Sequence, residues 1–204
     1  MADAMVIESD RLDMRLADFK IGRKPRLLYS GRYEEIKGAL DVVEVGLELF
    51  RRKVPFVLDL FGAGSLVGEM RRRVESAGAQ DCIHVNNAIP YPELVERSHD
   101  SDVFICCHVQ ADPSCTYLEA CGSGLPIVGY GNRMWRSFVK DAGNGLVTRM
   151  GRPVETAKAV QNLLSDWPSL SAFAHRSRDF AKKHCFEGEF DKRIHAIQEL
   201  LRTL

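Results

Sequence analysis

Neither sign of charge dominates this chain. Its 204 residues hold 28 Lys plus Arg and 28 Asp plus Glu, so the formal net charge is zero. That argues against a nucleic-acid binder relying on a global positive field, while leaving room for a local basic pocket. No apolar run approaches the roughly 18 residues of a membrane span, and the start lacks a basic-then-apolar signal pattern. There is no internal repeat and no low-complexity tract. The six cysteines (82, 106, 107, 115, 121 and 185) include no C-x-x-C pair. Cys106 and Cys107 fall in one apolar run, where they read as small buried side chains rather than as a disulfide. A reduced, cytoplasmic setting follows. His84, His99, His108, His175, His184 and His195 show no ligand spacing with the cysteines, so no zinc or other metal site is expected.

What is present is a core and an alternating pattern. At this length, 45% apolar residues can supply one substantial domain. Residues 1 to about 24 are charged and poorly periodic, and they read as a linker or tail with one short amphipathic piece. From Arg26 onward short apolar runs alternate with segments of helical period. Strands are expected at 26–30, 56–60, 82–85, 103–107 and 126–130, with a weaker one near 146–148. Helices are expected at about 38–52, 64–77, 91–98, 113–122 and 133–141. Ala39, Val42, Val43, Val45, Gly46, Leu49 and Phe50 fall largely on one helical face. Arg71, Arg72, Arg73 and Glu75 read as a solvated helix face. After Gly151 the alternation stops, and helices at about 153–165, 168–183 and 188–203 close the chain. The implied fold is α/β, a doubly wound, Rossmann-like parallel sheet of about six strands with C-terminal helices. One such domain would cover residues 25–204.

The stretch from Ala111 to Val128 joins two of the apolar runs through a short helix. Asp112 suits an N-cap and Pro113 the first helical position. The amides of Ser114, Cys115 and Thr116 would then point out of a helix start, where the macrodipole favours an anion. Glu119 lies two turns beyond the cap, and Gly122 and Gly124 end the helix.

In a doubly wound sheet, ligands sit beyond the C-terminal ends of the strands. The first strand delivers Gly31, Arg32 and then Lys37-Gly38; the second delivers Gly62-Ala63-Gly64-Ser65. The third delivers Asn86-Asn87-Ala88, the fourth His108, Gln110, Ala111 and Asp112, and the fifth Gly131-Asn132. Arg32 and Lys37 read either as two solvated loop charges or as a clamp for a diphosphate, a guanidinium gripping two oxygens beside an ammonium point charge. Gly62-x-Gly64-x-x-x-Gly68 invites a dinucleotide reading but fails its further checks. Val67 occupies the third glycine position, and the next strand ends in Asn86-Asn87 rather than an acid. Glu119 reads as a ligand-facing acid or a surface one, and Asp112 as a plain cap or a ligand. Cys115 could be read as a thiol activated by the helix start, although no histidine is placed beside it by sequence.

Together these pieces resemble the C-terminal, donor-binding half of a group 1 (family four) retaining glycosyltransferase of the GT-B fold. The resemblance spans about residues 25–204. It rests on Ser30-Gly31-Arg32 with Ile36-Lys37-Gly38, on Leu58-Asp59-Leu60-Phe61-Gly62-Ala63-Gly64, on Ser101-Asp102-Val103-Phe104-Ile105, on Tyr117 through Val128, and on Asn144-Gly145-Leu146-Val147. Each piece is loose alone; their order and spacing are specific.

The resemblance implies a function: binding a nucleotide-diphosphate sugar and transferring a hexosyl group to an acceptor such as a polysaccharide or glycolipid. It implies that Arg32 and Lys37, with Gly31 and Gly38, hold the diphosphate and stabilise charge on the leaving nucleotide. Glu119 would be the second acid of the family's E-x7-E motif and bind the ribose. Gly62 would give backbone access, the loop at Asn86, Asn87 and Ala88 would receive the base through backbone groups, and the amides of Ser114, Cys115 and Thr116 would contact phosphates or sugar. No cofactor or metal is implied beyond the donor. Two departures stand out. The first acid of E-x7-E falls on Ala111, so either Asp112 takes its place or the sugar contacts come from elsewhere. The N-terminal acceptor-binding half is absent, so this chain alone would lack full activity. Any membrane contact of the cytoplasmic full-length enzyme would run through that missing half. In the family the last helix returns to the N-terminal half, so Phe190, Ile194, Ile197, Leu200 and Leu201 would be partly exposed. The rival reading is a non-catalytic nucleotide-sugar sensor or partner subunit, which the Ala111 departure favours.

Overall fold

The computed structural model describes residues 6–110 and 115–202. Six strands form one parallel sheet in the order β3-β2-β1-β4-β5-β6. They are β1 (Arg26–Ser30), β2 (Val57–Phe61), β3 (Ile83–Asn86), β4 (Val103–Cys106), β5 (Ile127–Tyr130) and β6 (Gly145–Thr148). The helices are α1 (Ser9–Lys20), α2 (Ala39–Arg51), α3 (Val67–Ser76), α4 (Tyr91–His99), α5 (Cys115–Gly122), α6 (Arg133–Ala142), α7 (Pro153–Ser165), α8 (Trp167–Lys183) and α9 (Phe186–Arg202). A single 3-10 turn, Glu35–Lys37, precedes α2. Among the described residues no helix is long and apolar enough to cross a membrane.

Strand side chains alternate between two cores, one on each face of the sheet. Leu27, Tyr29, Leu58 and Leu60 face α2, α3 and α7. Leu28, Phe104, Cys106 and Ile127 face α5 and α6, against Trp135 and Phe138. Each fully buried aliphatic or aromatic side chain contributes roughly 1.5–3 kcal/mol of transfer free energy, so both layers are needed. Gly46 lets α2 lie close on the sheet: a Cβ there would stand 2.8 Å from Leu58 Cδ2 and 2.9 Å from Ile83 Cδ1. The weak strand near 146–148 is held by pairing, Ile127 to Gly145 through Tyr130 to Thr148. The closing helices bridge the cores, with Leu170 and Ala174 of α8 in one and Ala181 in the other. On α9, Phe190, Ile194, Ile197, Leu200 and Leu201 are exposed.

The charged N-terminal segment does more than trail or link. Its amphipathic piece is α1, whose Leu12, Leu16 and Phe19 enter the core together with Ile7. Arg15, on the same helix, is buried and caps two helix ends. It donates to the carbonyls of His99 (2.9 Å), Ser123 (2.9 Å) and Gly124 (2.6 Å), at the C-termini of α4 and α5, where the macrodipoles favour a cation. Burial lowers its pKa to about 10, opposed by the charge of Asp102, so it remains a cation at neutral pH. A buried arginine breaks the apolar period, and that is why the segment looks unstructured in sequence. Beside it, Arg23 pairs with the buried Asp102 at 2.7 Å, and Asp102 also accepts the Arg26 amide at 2.7 Å.

Candidate functional site

β1 and β4 are neighbours, yet the chain leaves them toward opposite edges of the sheet. Their C-terminal ends therefore border the crevice of a doubly wound fold. Three loops are stitched together there. The Gly31 amide donates to Phe61 O at 3.1 Å, and the Tyr33 amide to Ala63 O at 2.8 Å. The loops after β1 and β2 approach so closely that a Cβ on Gly62 would lie 1.9 Å from Gly31 O. Tyr33 is fully buried, and its hydroxyl reaches the loop after β3, donating to Asn86 O at 2.6 Å. Glu34 accepts from the Ser65 amide (3.0 Å) and hydroxyl (2.7 Å), which hold its carboxyl below the usual carboxylate range.

The cations occupy different settings. The Arg32 carbonyl is fixed by the Tyr29 hydroxyl at 3.0 Å, while its side chain is exposed at the crevice. Lys37 ends the 3-10 turn and is buried. Gly38 follows in the left-handed region, φ 60°, and a Cβ there would meet Cys107 O at 2.0 Å. Only glycine lets the start of α2 press on the chain leaving β4. The Ile36 carbonyl extends that seam by accepting the amides of Val109 (3.2 Å) and Gln110 (3.4 Å).

Between these walls lies a cleft of about 430 Å³. Gly31, Arg32 and Gly62 line one side, and Thr116 and Glu119 of α5 the other. Its apolar part is made by Phe61, Ala88, Ile89, Tyr91 and Leu94. Glu119 is half-buried, and burial raises its pKa; a hydrogen bond from the Tyr91 hydroxyl pulls the other way. The same pair, with burial as the larger cause, pushes the Tyr91 phenol up to about 12. The cleft thus offers a cation, a hydrogen-bonded acid and an apolar wall within one molecule's reach.

Five expected site residues line this cleft: Gly31, Arg32, Gly62, Thr116 and Glu119. Lys37 and Gly38 build the adjoining seam. Asn86 and Asn87 face structural partners, with Asn86 Nδ2 donating to His84 O (3.3 Å) and Asn87 Oδ1 accepting from Arg71 (2.9 Å). Ala88, of the same expected loop, and Ile89 after it line the cleft. Cys115 begins α5 and is exposed. Asp112 and Ser114 lie outside the described residues, as do Ala111 and Pro113. Asn132, delivered by β5, is the N-cap of α6: its Oδ1 accepts the Trp135 amide at 2.7 Å and its Nδ2 donates to His108 O at 3.0 Å. His108 is buried with its ring 5.9 Å from that of Tyr117. Sequence reasoning did not single out Tyr33 or Tyr91, nor Ile89 and Leu94 of the apolar wall. In sequence Tyr33 is an ordinary core aromatic and Tyr91 an ordinary helix start.

The family model described as glycosyl transferases group 1 matches residues 13–180, a stretch that begins inside α1. The chain is 35% identical over 92 residues to the UDP-N-acetylglucosamine–peptide N-acetylglucosaminyltransferase GtfA subunit of Streptococcus gordonii, covering 43% of this chain and 17% of that protein. Among solved structures, the pneumococcal O-GlcNAc transferase GtfA in complex with UDP and GlcNAc superposes with a TM-score of 0.77 at 21% identity, covering 90% of this chain and 37% of that one. The C-terminal domain of the glycosyl transferase group 1 protein LpcC from Francisella tularensis superposes with a TM-score of 0.73 at 16% identity, covering 90% and 97%. These superpositions establish likeness of fold. The chain spans between 17% and 35% of the length of the curated relatives it matches. It belongs to the group 1 glycosyltransferases, as one half of the GT-B fold.

Proposed function

We propose that this domain binds the nucleotide-diphosphate-sugar donor of a retaining glycosyltransferase. A hexosyl group passes to an acceptor, such as a polysaccharide or glycolipid, held by a second half outside this chain. The observation that carries the reading is the cleft at the β1/β4 crevice, where Arg32 and Glu119 face one space beside an apolar wall. The diphosphate lies against Arg32, at the start of the seam that Lys37 and Gly38 form. As the bond to the sugar breaks, negative charge grows on the leaving phosphate. Fixed cations stabilise it without reorganising, and the chemistry needs no metal ion. The ribose hydroxyls donate to Glu119, and the base rests on the apolar wall near Ala88 and Ile89. GtfA in complex with UDP and GlcNAc has this fold, which makes UDP the first nucleotide to test.

A thermal-shift panel of UDP, GDP and ADP, their sugars, and NAD as control tests the proposal. At least one nucleoside diphosphate should raise the melting temperature. Arg32→Ala should abolish most of that rise, and Lys37→Ala should reduce it. A response to NAD alone, or to none of the diphosphates, overturns the reading. Donor binding with no transfer by the protein joined to its acceptor half would favour a nucleotide-sugar sensor, the reading that Ala111 supports.

A further inference from the structure

We infer that Arg71 is a positioning residue for the loop that receives the donor's base: its guanidinium clamps the chain leaving β3 from outside and fixes residues 87–89 at the cleft wall. The inference rests on the donor-binding reading above. Arg71, Arg72 and Arg73 stand in a row on α3 and all three are exposed, so in sequence they read as one solvated face. Two of them turn back on their own helix, Arg73 to Glu69 at 2.8 Å and Arg72 to the same carboxylate. Arg71 reaches off the helix. Its Nε donates to Val85 O at 3.2 Å, and a terminal nitrogen donates to Asn87 Oδ1 at 2.9 Å. Val85 lies on β3, an edge strand of the sheet, so no strand pairs with its outer backbone groups. One planar guanidinium therefore bridges that strand and the first residue beyond it.

The loop has little else to hold it. Among the described residues, none hydrogen-bonds to the amides or carbonyls of Asn87, Ala88 and Ile89. Those are the backbone groups left for a ligand, and Ala88 and Ile89 line the cleft. The far end is fixed by Pro90, whose ring confines Ile89 to extended backbone and whose carbonyl accepts the Leu94 amide at 3.0 Å as α4 begins. The near end is fixed from the cleft side by the Tyr33 hydroxyl on Asn86 O and from the outer side by Arg71 on Asn87. Without Arg71, residues 87 and 88 are free to turn between those two anchors. A wall that must be ordered on binding costs affinity, and a loose wall fits several bases alike.

The test measures the dissociation constants of UDP, GDP and ADP by calorimetric titration for wild type, Arg71→Ala, Asn87→Ala, the double variant and Arg72→Ala. Wild type should prefer one of the three nucleotides. Arg71→Ala should weaken that one about three- to tenfold, the size of one hydrogen bond, and the other two less, so that selectivity falls. The double variant should lose no more than Arg71→Ala alone, because both single changes break the same contact. Arg72→Ala, which removes an equal charge one residue away, should match wild type. Equal weakening of all three nucleotides by Arg71→Ala is what a merely structural role would give, and it overturns the inference. So do unchanged affinities, additive losses in the double variant, the same loss in Arg72→Ala, or a wild type that binds the three nucleotides alike. A wild type that binds no nucleoside diphosphate overturns the donor-binding reading, and this inference falls with it.

Discussion

Two arginines at opposite ends of the sheet show how one side chain serves two purposes. Arg15, below the N-terminal strand ends, is buried, and three backbone carbonyls accept from it. Arg32, beyond the C-terminal end of β1, has its carbonyl pinned by Tyr29 and its guanidinium exposed to the cleft. The first spends its hydrogen bonds on the fold. The second keeps its donors for a ligand. Around each the same contrast holds: Asp102 is locked by Arg23 and the Arg26 amide, whereas Glu119 has one tyrosine and an open face.

The largest expected effect breaks the structural end. Arg15→Met should destabilise the protein by about 3–5 kcal/mol, because it strands buried carbonyls that an ionised donor had satisfied. At this size that lowers the melting temperature by roughly 10 °C. Below the new transition, nucleotide affinity should be unchanged, since no residue of α1 lines the cleft and Arg15 meets α4 and α5 at their far, C-terminal ends. A melting temperature within 2 °C of wild type, measured by differential scanning calorimetry, would show that the N-terminal segment is not part of the cooperative unit.

The reciprocal substitution sharpens the contrast. Arg32→Ala should weaken nucleoside diphosphate binding roughly ten- to hundredfold, the range of one charge-assisted hydrogen bond. Its melting temperature without ligand should stay within about 1–2 °C of wild type, because only its backbone is engaged in the fold. Calorimetric titration alongside a ligand-free melt separates the two readouts. A destabilised Arg32→Ala protein with intact binding would reverse the assignment of the two arginines.

This contrast also marks what was legible in the sequence. The six strands and the apolar face of α2 follow from period and run length, since burial on both faces of a parallel sheet leaves near-continuous apolar runs. Arg32 and Glu119 were legible as candidates because strand ends in this topology deliver residues to one crevice. Arg15 was not, because in sequence a buried cation looks like a solvated one; only the carbonyls of His99, Ser123 and Gly124 distinguish it. Lys37 and Arg32 likewise look equivalent five residues apart, and the structure separates them into a buried and an exposed cation. The loop at Asn86, Asn87 and Ala88 is expected to meet a base through backbone groups, as the resemblance implies. The asparagine side chains meet His84 and Arg71, which leaves that backbone expectation untouched, and Ala88 of the same loop lines the cleft with Ile89 after it.

The smallest effect tests whether the site end has structure of its own. Tyr33 ties three loops, by its amide to Ala63, its carbonyl to the Leu66 amide and its hydroxyl to Asn86. Tyr33→Phe removes only the last of these. Losing one neutral hydrogen bond to a carbonyl costs about 1 kcal/mol, which lowers the melting temperature by about 2–4 °C. If the loop after β3 is positioned through that bond, nucleotide affinity falls several-fold at the same time, although position 33 does not line the cleft. A lowered melting temperature with unchanged affinity would mean that backbone pairing alone shapes this wall. The line between fold and site would then run through Tyr33, with its amide serving the ligand and its hydroxyl only the core.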